Sequence, residues 1–174
     1  GHLQAVNYSQ LPFMWYTDNT LGFFSCGLAW WSTDSQHAFF IDTSRGSKVV
    51  RLVELDTDTG LTRIVFEEKS DTFVKLHHDS MDQPHFIPLP ETNELIWFSE
   101  RSGWAHLYLY DFETGRVKNQ ITSGDWVVRG VDWVDEDKRQ IWFRAGGIYP
   151  DQNPYQIHYC RVDFDGKNLV KLTD

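Results

Sequence analysis

Cysteine and long apolar runs are scarce in this sequence, and each scarcity excludes a class of protein or of site. The 174 residues include only two cysteines, Cys26 and Cys160, and no Cys-x-x-Cys pair that would suggest a zinc site. Two cysteines so far apart are expected to be buried thiols rather than a disulfide. No apolar run approaches the roughly 18 residues of a membrane-spanning helix. The Gly-x-Ser-x-Gly motif of serine hydrolases is also missing.

Positive charge is in short supply as well. Lys and Arg number 16 against 25 Asp and Glu, which leaves a formal net charge of −9. Nucleic acids and anionic membrane surfaces are bound through clustered Lys and Arg side chains. The sequence therefore predicts neither of them as a partner.

Aromatic residues and turn signals, by contrast, are abundant. Phe, Trp and Tyr make up 16% of the residues, and the turns Asp56–Gly60, Asp111–Gly115 and Asp163–Gly166 recur roughly every 50 residues. Each turn joins two strands, and two further strands precede it in each unit. Four strands per repeat at this period are typical of propeller blades. The predicted fold is all-β, a fragment of a β-propeller with about three four-stranded antiparallel blades.

The blades are predicted at approximately 21–67, 84–122 and 126–174, within a partial propeller spanning 21–174. Residues 1–20 are interpreted as a lead-in segment, and Gly1-His2 as the remnant of a cloning tag. A propeller ring needs about four to eight blades, so three blades leave apolar sheet faces uncovered. We therefore expect the chain either to self-associate through these open faces or to belong to a longer protein.

Propeller geometry places the longer loops on one face, and loops on a rigid scaffold commonly carry function. The long insertion Ala145–Tyr155 belongs to this face, although it is equally compatible with a plain surface loop. The candidate substrate-side residues of these loops are His77, His78, Asp79, Asp82, Arg101, Trp104, Tyr149 and Tyr155.

Three acidic or histidine-rich patterns suggest chemistry but are better explained otherwise. His77-His78-Asp79 with His85 resembles a metal cluster, yet adjacent strand residues point to opposite faces, which favours polar loop residues. Asp56–Gly60 lacks the later ligands of a calcium loop. Glu67-Glu68 is predicted to follow the fourth strand as a solvated surface pair. We therefore predict no metal, no cofactor and no catalytic residue in this sequence.

The run Ser99–Asp111, with Ile121–Val128, Pro154-Tyr155, Asp165-Gly166 and Leu172-Thr173 after it, resembles the N-terminal propeller of dipeptidyl peptidase IV-like serine peptidases, members of the prolyl oligopeptidase superfamily. Trp30–Ser35 is similar to a short aromatic-Ser-x-Asp turn of the same propeller. That turn also occurs in TolB-like propellers.

The resemblance implies an eight-bladed propeller stacked on an α/β-hydrolase domain that releases N-terminal dipeptides. The catalytic Ser, Asp and His would belong to that domain, outside this sequence. It also implies a peptide substrate and the hydrolase domain as partners, and a periplasmic or membrane-anchored extracytoplasmic location. The expected role is a non-catalytic one, gating and orienting peptides. The alternative is a TolB-like or scaffold propeller that binds a protein partner and has no enzymatic domain.

Overall fold

The computed structural model describes residues 6–8, 29–75 and 86–174, and the chain divides into two compact units. The first unit comprises residues 1–74 with 113–115, and the second comprises 75–112 with 116–174. The described residues form three four-stranded antiparallel sheets, and their helical content is a single 3₁₀ turn, Pro90–Thr92. Among these residues no helix has the length and apolarity to cross a membrane. The predicted all-β fold class is confirmed.

The first unit contains one sheet in simple sequential order. Its strands are β1 (Ala29–Trp31), β2 (His37–Thr43), β3 (Val49–Asp56) and β4 (Thr62–Lys69). The turn between β3 and β4 forms because Asp56 Oδ1 accepts the backbone N–H groups of Asp58 and Thr59, at 3.0 and 2.8 Å. Gly60 completes the turn with a φ of 72°, a conformation that glycine adopts without steric cost. The carboxylate is thus held by backbone donors, as a hairpin turn requires.

A short segment near the start of the chain packs on this first sheet. Asn7 forms a parallel bridge with Leu61, and Thr62 Oγ1 donates to the Asn7 carbonyl at 2.8 Å. The Tyr8 hydroxyl donates to Asp42 Oδ2 at 2.7 Å, and its ring meets Phe40 edge-on. Burial, together with the Asp42 hydrogen bond, raises the pKa of Tyr8 to about 12. Part of the predicted lead-in therefore belongs structurally to the first sheet.

The prediction for Glu67-Glu68 was wrong in position for both residues, and wrong in exposure for Glu68. Both residues lie inside β4 rather than after it, and Glu68 is buried. Glu67 bridges Lys69 Nζ at 2.7 Å and Arg51 Nε at 2.6 Å, and these hydrogen bonds lower the pKa of its carboxyl. Arg51 is the direct cross-strand neighbour of Glu67, so the acidic residue completes a strand-to-strand ion pair.

The second unit contains the other two sheets. One sheet has the order β5 (Phe86–Leu89), β6 (Glu94–Ser99), β7 (His106–Asp111) and β8 (Val117–Gln120). The other has β9 (Val127–Asp135), β10 (Gln140–Gly146), β11 (Ile157–Asp163) and β12 (Val170–Lys171). Leu107 and Leu109 of β7 join a core cluster with residues of β10 and β11. Tyr108 and Tyr110, on the opposite face of β7, are also buried, which confirms that this strand is covered on both sides.

The third sheet of the chain turns one face to that core and leaves the other largely exposed. Inner positions such as Phe143 and Cys160 are fully buried. We call the opposite side the outer face, and its apolar members are Trp133, Trp142, Ile157, Tyr159, Val170 and Leu172. Trp133 and Trp142 are register partners on β9 and β10, and their ring centroids lie 4.5 Å apart.

The Cys160 thiol is predicted to be unreactive while the protein is folded. Its side chain is fully buried, and burial raises the pKa of the thiol to about 11, so almost no thiolate forms at neutral pH. Iodoacetamide labelling followed by peptide mapping should modify the Cys160 peptide only after urea unfolding. Rapid labelling of that peptide in the native protein would contradict the buried position.

Candidate functional site

Three loops of the second unit meet at one end of its two sheets. They are residues 100–105 between β6 and β7, 122–126 between β8 and β9, and 147–156 between β10 and β11. The Val128 N–H donates to the Ala105 carbonyl at 2.8 Å, which ties the start of β9 to the first loop. A Cβ placed on Gly147 would touch Pro154 and Trp126, so the last two loops are in close contact. We call these three segments the loop cluster.

Trp126 forms the base of the loop cluster. Its side chain is 8% exposed, and its ring stacks on Phe143 of β10 with centroids 5.9 Å apart. The edge of the His106 ring meets it at 5.0 Å. Gly124, with a φ of 129°, leaves the space that the Trp126 indole occupies, and a Cβ at that position would collide with the ring. The turn 122–126 is therefore fixed by the aromatic side chain at its end.

His106 connects this turn to β7 through both nitrogens of its ring. Its Nδ1 lies 3.0 Å from Thr122 Oγ1, and its Nε2 lies 3.0 Å from the Gly124 carbonyl oxygen. A carbonyl oxygen can only accept, so Nε2 carries the proton and Nδ1 accepts from the Thr122 hydroxyl. That hydroxyl oxygen accepts the Leu107 N–H at 3.0 Å. Burial lowers the pKa of His106, an effect that the Gly124 carbonyl partly opposes.

The insertion Ala145–Tyr155 is held against the end of the chain that includes β12, and Tyr149 makes most of the contacts. The Tyr149 hydroxyl donates to the Thr173 carbonyl at 3.2 Å, and its ring meets His158 at 4.8 Å. Lys171 Nζ lies 4.0 Å from the centroid of the Tyr149 ring and donates to the Ile148 carbonyl at 3.0 Å. This cation–π contact and the two hydrogen bonds give Tyr149 a structural role at the base of the insertion.

Two of the candidate aromatic residues remain available at the surface of the loop cluster. Trp104 is 44% exposed and Tyr155 is 80% exposed. The backbone around Tyr155 is held by a hydrogen bond from its N–H to Asn153 Oδ1 at 3.0 Å. Flat, amphipathic side chains on a fixed backbone lose little conformational entropy when a ligand packs on them. Trp104 and Tyr155 are therefore the members of the candidate set whose exposure suits contact with a ligand.

Arg101 belongs to the same loop but packs back onto its own hairpin. Its Nε donates to Ser99 Oγ at 2.9 Å, and its guanidinium lies 4.7 Å from the Tyr108 ring centroid and 5.5 Å from that of Tyr110. These rings lie on the face of β7 opposite to Leu107 and Leu109. Arg101 thus serves to hold its own hairpin together.

The other end of the second unit contains a buried carboxylate that sequence reasoning missed. Glu94, at the start of β6, is 3% exposed and lies 2.5 Å from Lys118 Nζ and 2.8 Å from Arg139 Nη1. Thr92 Oγ1 donates to it at 2.8 Å. Burial opposes ionisation, but the hydrogen bonds from Arg139, Lys118 and Thr92 outweigh it and lower the pKa of Glu94 to about 2. Arg139 lies in the turn between β9 and β10, and its guanidinium is also 4.5 Å from the centroid of the Phe164 ring. Its ion pair with Glu94 of β6 therefore links the two sheets of this unit.

The remaining candidates, His77, His78, Asp79 and Asp82, lie outside the described residues, as does His85. Their predicted place beside the loop cluster stays a prediction. Among the described residues no group of three or more His, Cys, Asp or Glu side chains is arranged to hold a metal ion.

Two functional features had no clear signal in the sequence. The His106–Thr122–Gly124 network joins residues 16 and 18 positions apart, and although all three lie in the runs that carry the family resemblance, nothing in those runs indicates that they bond to one another. Glu94 did carry a weak signal, since it opens a strand, Glu94–Ser99, whose residues are all buried. A charged residue in such a strand requires buried partners.

The three four-stranded sheets define a fragment of a β-propeller. The family model of the dipeptidyl peptidase IV (DPP IV) N-terminal region matches residues 26–174, and the chain belongs to that family. The family predicted from Ser99–Val128 is thereby confirmed.

Individual relatives agree with this assignment. Dipeptidyl peptidase 4 of Arthroderma otae is 24% identical over 149 residues, which cover 84% of this chain and 18% of that protein. Dipeptidyl peptidase 8 of Mus musculus is 28% identical over 153 residues, covering 71% and 16%. The crystal structure of Porphyromonas gingivalis dipeptidyl peptidase 4 shares the fold with a TM-score of 0.63 at 17% identity, covering 83% of this chain and 20% of that one. The chain thus spans about a fifth or less of the length of these proteins.

Proposed function

We propose that this chain is the non-catalytic propeller part of a DPP IV-like serine exopeptidase, and that its loop cluster gates and orients peptides for a hydrolase domain outside these 174 residues. The observation that supports this role most directly is the loop cluster itself, in which exposed Trp104 and Tyr155 stand on an anchored base. Holding one end of a peptide lowers the entropic part of the reaction barrier, and a rigid rim excludes larger substrates.

The proposal is tested on the full-length protein with chromogenic dipeptide substrates that carry Pro in the second position. Release of the chromophore is expected. Tyr155→Ala and Trp104→Ala should each lower kcat/KM by about threefold to tenfold, the effect of one lost aromatic contact. Lys138→Ala, in the turn at the opposite end of the third sheet, is the control and should leave kcat/KM unchanged. Absence of dipeptide release by the full-length protein would refute the peptidase proposal.

A binding scaffold without an enzymatic domain is the second candidate, and the exposed outer face favours it. Trp133, Tyr159 and Leu172 present a flat apolar surface of the kind that proteins bury on association. The full-length sequence separates the two candidates. A Gly-x-Ser-x-Gly motif after the propeller supports the peptidase, and its absence supports the scaffold.

We further propose that the 174-residue chain self-associates through this outer face, because burying it removes apolar area from water. Light scattering over a range of concentrations should give a mass that rises with concentration. Tyr159→Glu, which places a charge in the outer face, should return the chain to a monomer, whereas Tyr155→Glu in the loop cluster should not. A constant monomer mass for the unsubstituted chain would rule the association out.

A further inference from the structure

We propose that His106 is a proton-sensitive latch, which holds the turn 122–126 against β7 at neutral pH and holds it more weakly on mild acidification. The role goes beyond the proposed positioning of peptides, because it gives the base of the loop cluster two states. It rests on an imidazole that is 1% exposed and bonded at both nitrogens to one turn.

The closed state depends on one particular protonation form of the ring. Gly124 O requires a proton on Nε2, and the neutral ring then offers Nδ1 as an acceptor to Thr122. A second proton on Nδ1 makes both ring nitrogens donors. The Thr122 hydroxyl must then rotate away from the ring, although its oxygen already accepts the Leu107 N–H. Protonation therefore reverses the hydrogen bond between Nδ1 and Thr122, so that the hydroxyl proton loses the ring as its acceptor, and it places a positive charge in a buried position.

The local charges do little to compensate for that added proton. The charged side chains on the segments packed around His106 are Asp125 in the turn, Glu100 and Arg101 after β6, and Arg129 on β9. The lowered pKa of His106 has burial as its main cause, with the Gly124 carbonyl opposing it. Carboxyl groups ordinarily titrate about two pH units below histidine, so a transition between about pH 7 and 5.5 reports on an imidazole.

The sign of the effect follows from the direction of that shift. An opened turn exposes the ring, which then regains an ordinary pKa of about 6.5 and binds a proton more readily than in the closed state. Proton binding thus favours the open state as the pH falls. The opening equilibrium constant should rise by up to about tenfold per pH unit below 6.5, until the lowered pKa of the closed state is reached.

Release of the turn would also free Trp126, since that indole lies against both His106 and Phe143. The start of β9 would follow, because Val128 bonds to Ala105 directly beside His106. The amides of Leu107 and Val128 are therefore local reporters of the latch. Amides in the centre of the first sheet, such as that of Val53, serve as internal references.

The test is hydrogen exchange of the 174-residue chain at pH 7 and pH 5.5, corrected for the intrinsic pH dependence of exchange. Protection of the Leu107 and Val128 amides should fall by up to about eightfold at the lower pH, with Val53 unchanged. His106→Gln removes the titrating group and should abolish the difference. His158→Gln, at another buried histidine of the second unit, should retain it. A pH step that persists in His106→Gln, or one that disappears in His158→Gln, would overturn the latch.

A second measurement does not depend on the stability of any variant. Nitrogen-15 NMR of the unsubstituted chain should show His106 as the Nε2–H tautomer at pH 7, and its titration midpoint should lie below that of an exposed histidine. An Nδ1–H tautomer, or an ordinary or raised midpoint, would contradict the proposal.

Discussion

Glu94→Gln is expected to lower the free energy of unfolding by about 2–3 kcal/mol, because it removes the charge that two buried hydrogen bonds from cations require. Lys118 and Arg139 both end on the Glu94 carboxylate, and an amide can replace only one acceptor oxygen. The side chains of both cations retain contact with solvent, so the loss should stay below that of a fully buried pair. Urea denaturation followed by circular dichroism measures the difference.

The pH dependence of the same variant provides an independent check. The folded carboxyl has a pKa of about 2, below its ordinary value of 4.5, so its contribution is complete above pH 4.5 and is lost as the pH falls towards 2. The unsubstituted chain should therefore lose stability more steeply across this interval than Glu94→Gln. Glu91→Gln, at an exposed position in the adjacent 3₁₀ turn, is the matched control and should change the stability by less than about 0.5 kcal/mol. Parallel pH profiles for Glu94→Gln and the unsubstituted chain would contradict the assignment.

Trp126→Ala is expected to cost about 3–5 kcal/mol, which is typical of truncating a large buried aromatic side chain. The substitution removes the stacking on Phe143 and the edge contact with His106, and it leaves a cavity beneath the loop cluster. Urea denaturation again measures the loss.

Trp104→Ala is the control for this substitution, because Trp104 lies in a neighbouring loop of the same cluster but is largely exposed. It should cost about 1 kcal/mol or less. Equal losses for the two variants would show that Trp126 is not the base of the cluster.

The strands and their turns could be predicted from the sequence because their signals are local. Alternating or continuous apolar residues mark strands, and an Asp followed by Gly marks a tight turn. Gly60, Gly115 and Gly166 all adopt the positive φ that this interpretation requires. The buried faces of β7 were also predictable, since Leu107–Tyr110 is apolar on both sides.

Contacts between distant residues were not predictable in the same way. Glu67-Glu68 was taken for a surface pair because adjacent acidic residues usually face water. In the structure β4 continues through both residues, and Glu67 pairs with Arg51 on the neighbouring strand β3. Glu94 meets Arg139 across 45 residues, and no local pattern encodes that pairing. Tyr149 was predicted as a substrate-side residue of the insertion, and its anchoring by Lys171 and Thr173 was not predictable, because it depends on how β12 returns to the sheet.

The Trp133–Trp142 pair gives the third sheet a circular-dichroism signal of its own. Two indoles with centroids 4.5 Å apart, inclined at 37°, couple their electronic transitions and produce an exciton couplet in the far-ultraviolet circular dichroism spectrum. The two residues are direct register partners, and the first bulge between β9 and β10 begins immediately after them. A slip of one residue would move one ring to the opposite face and erase the couplet. The sign and strength of this couplet therefore follow the alignment of two strands without any added label.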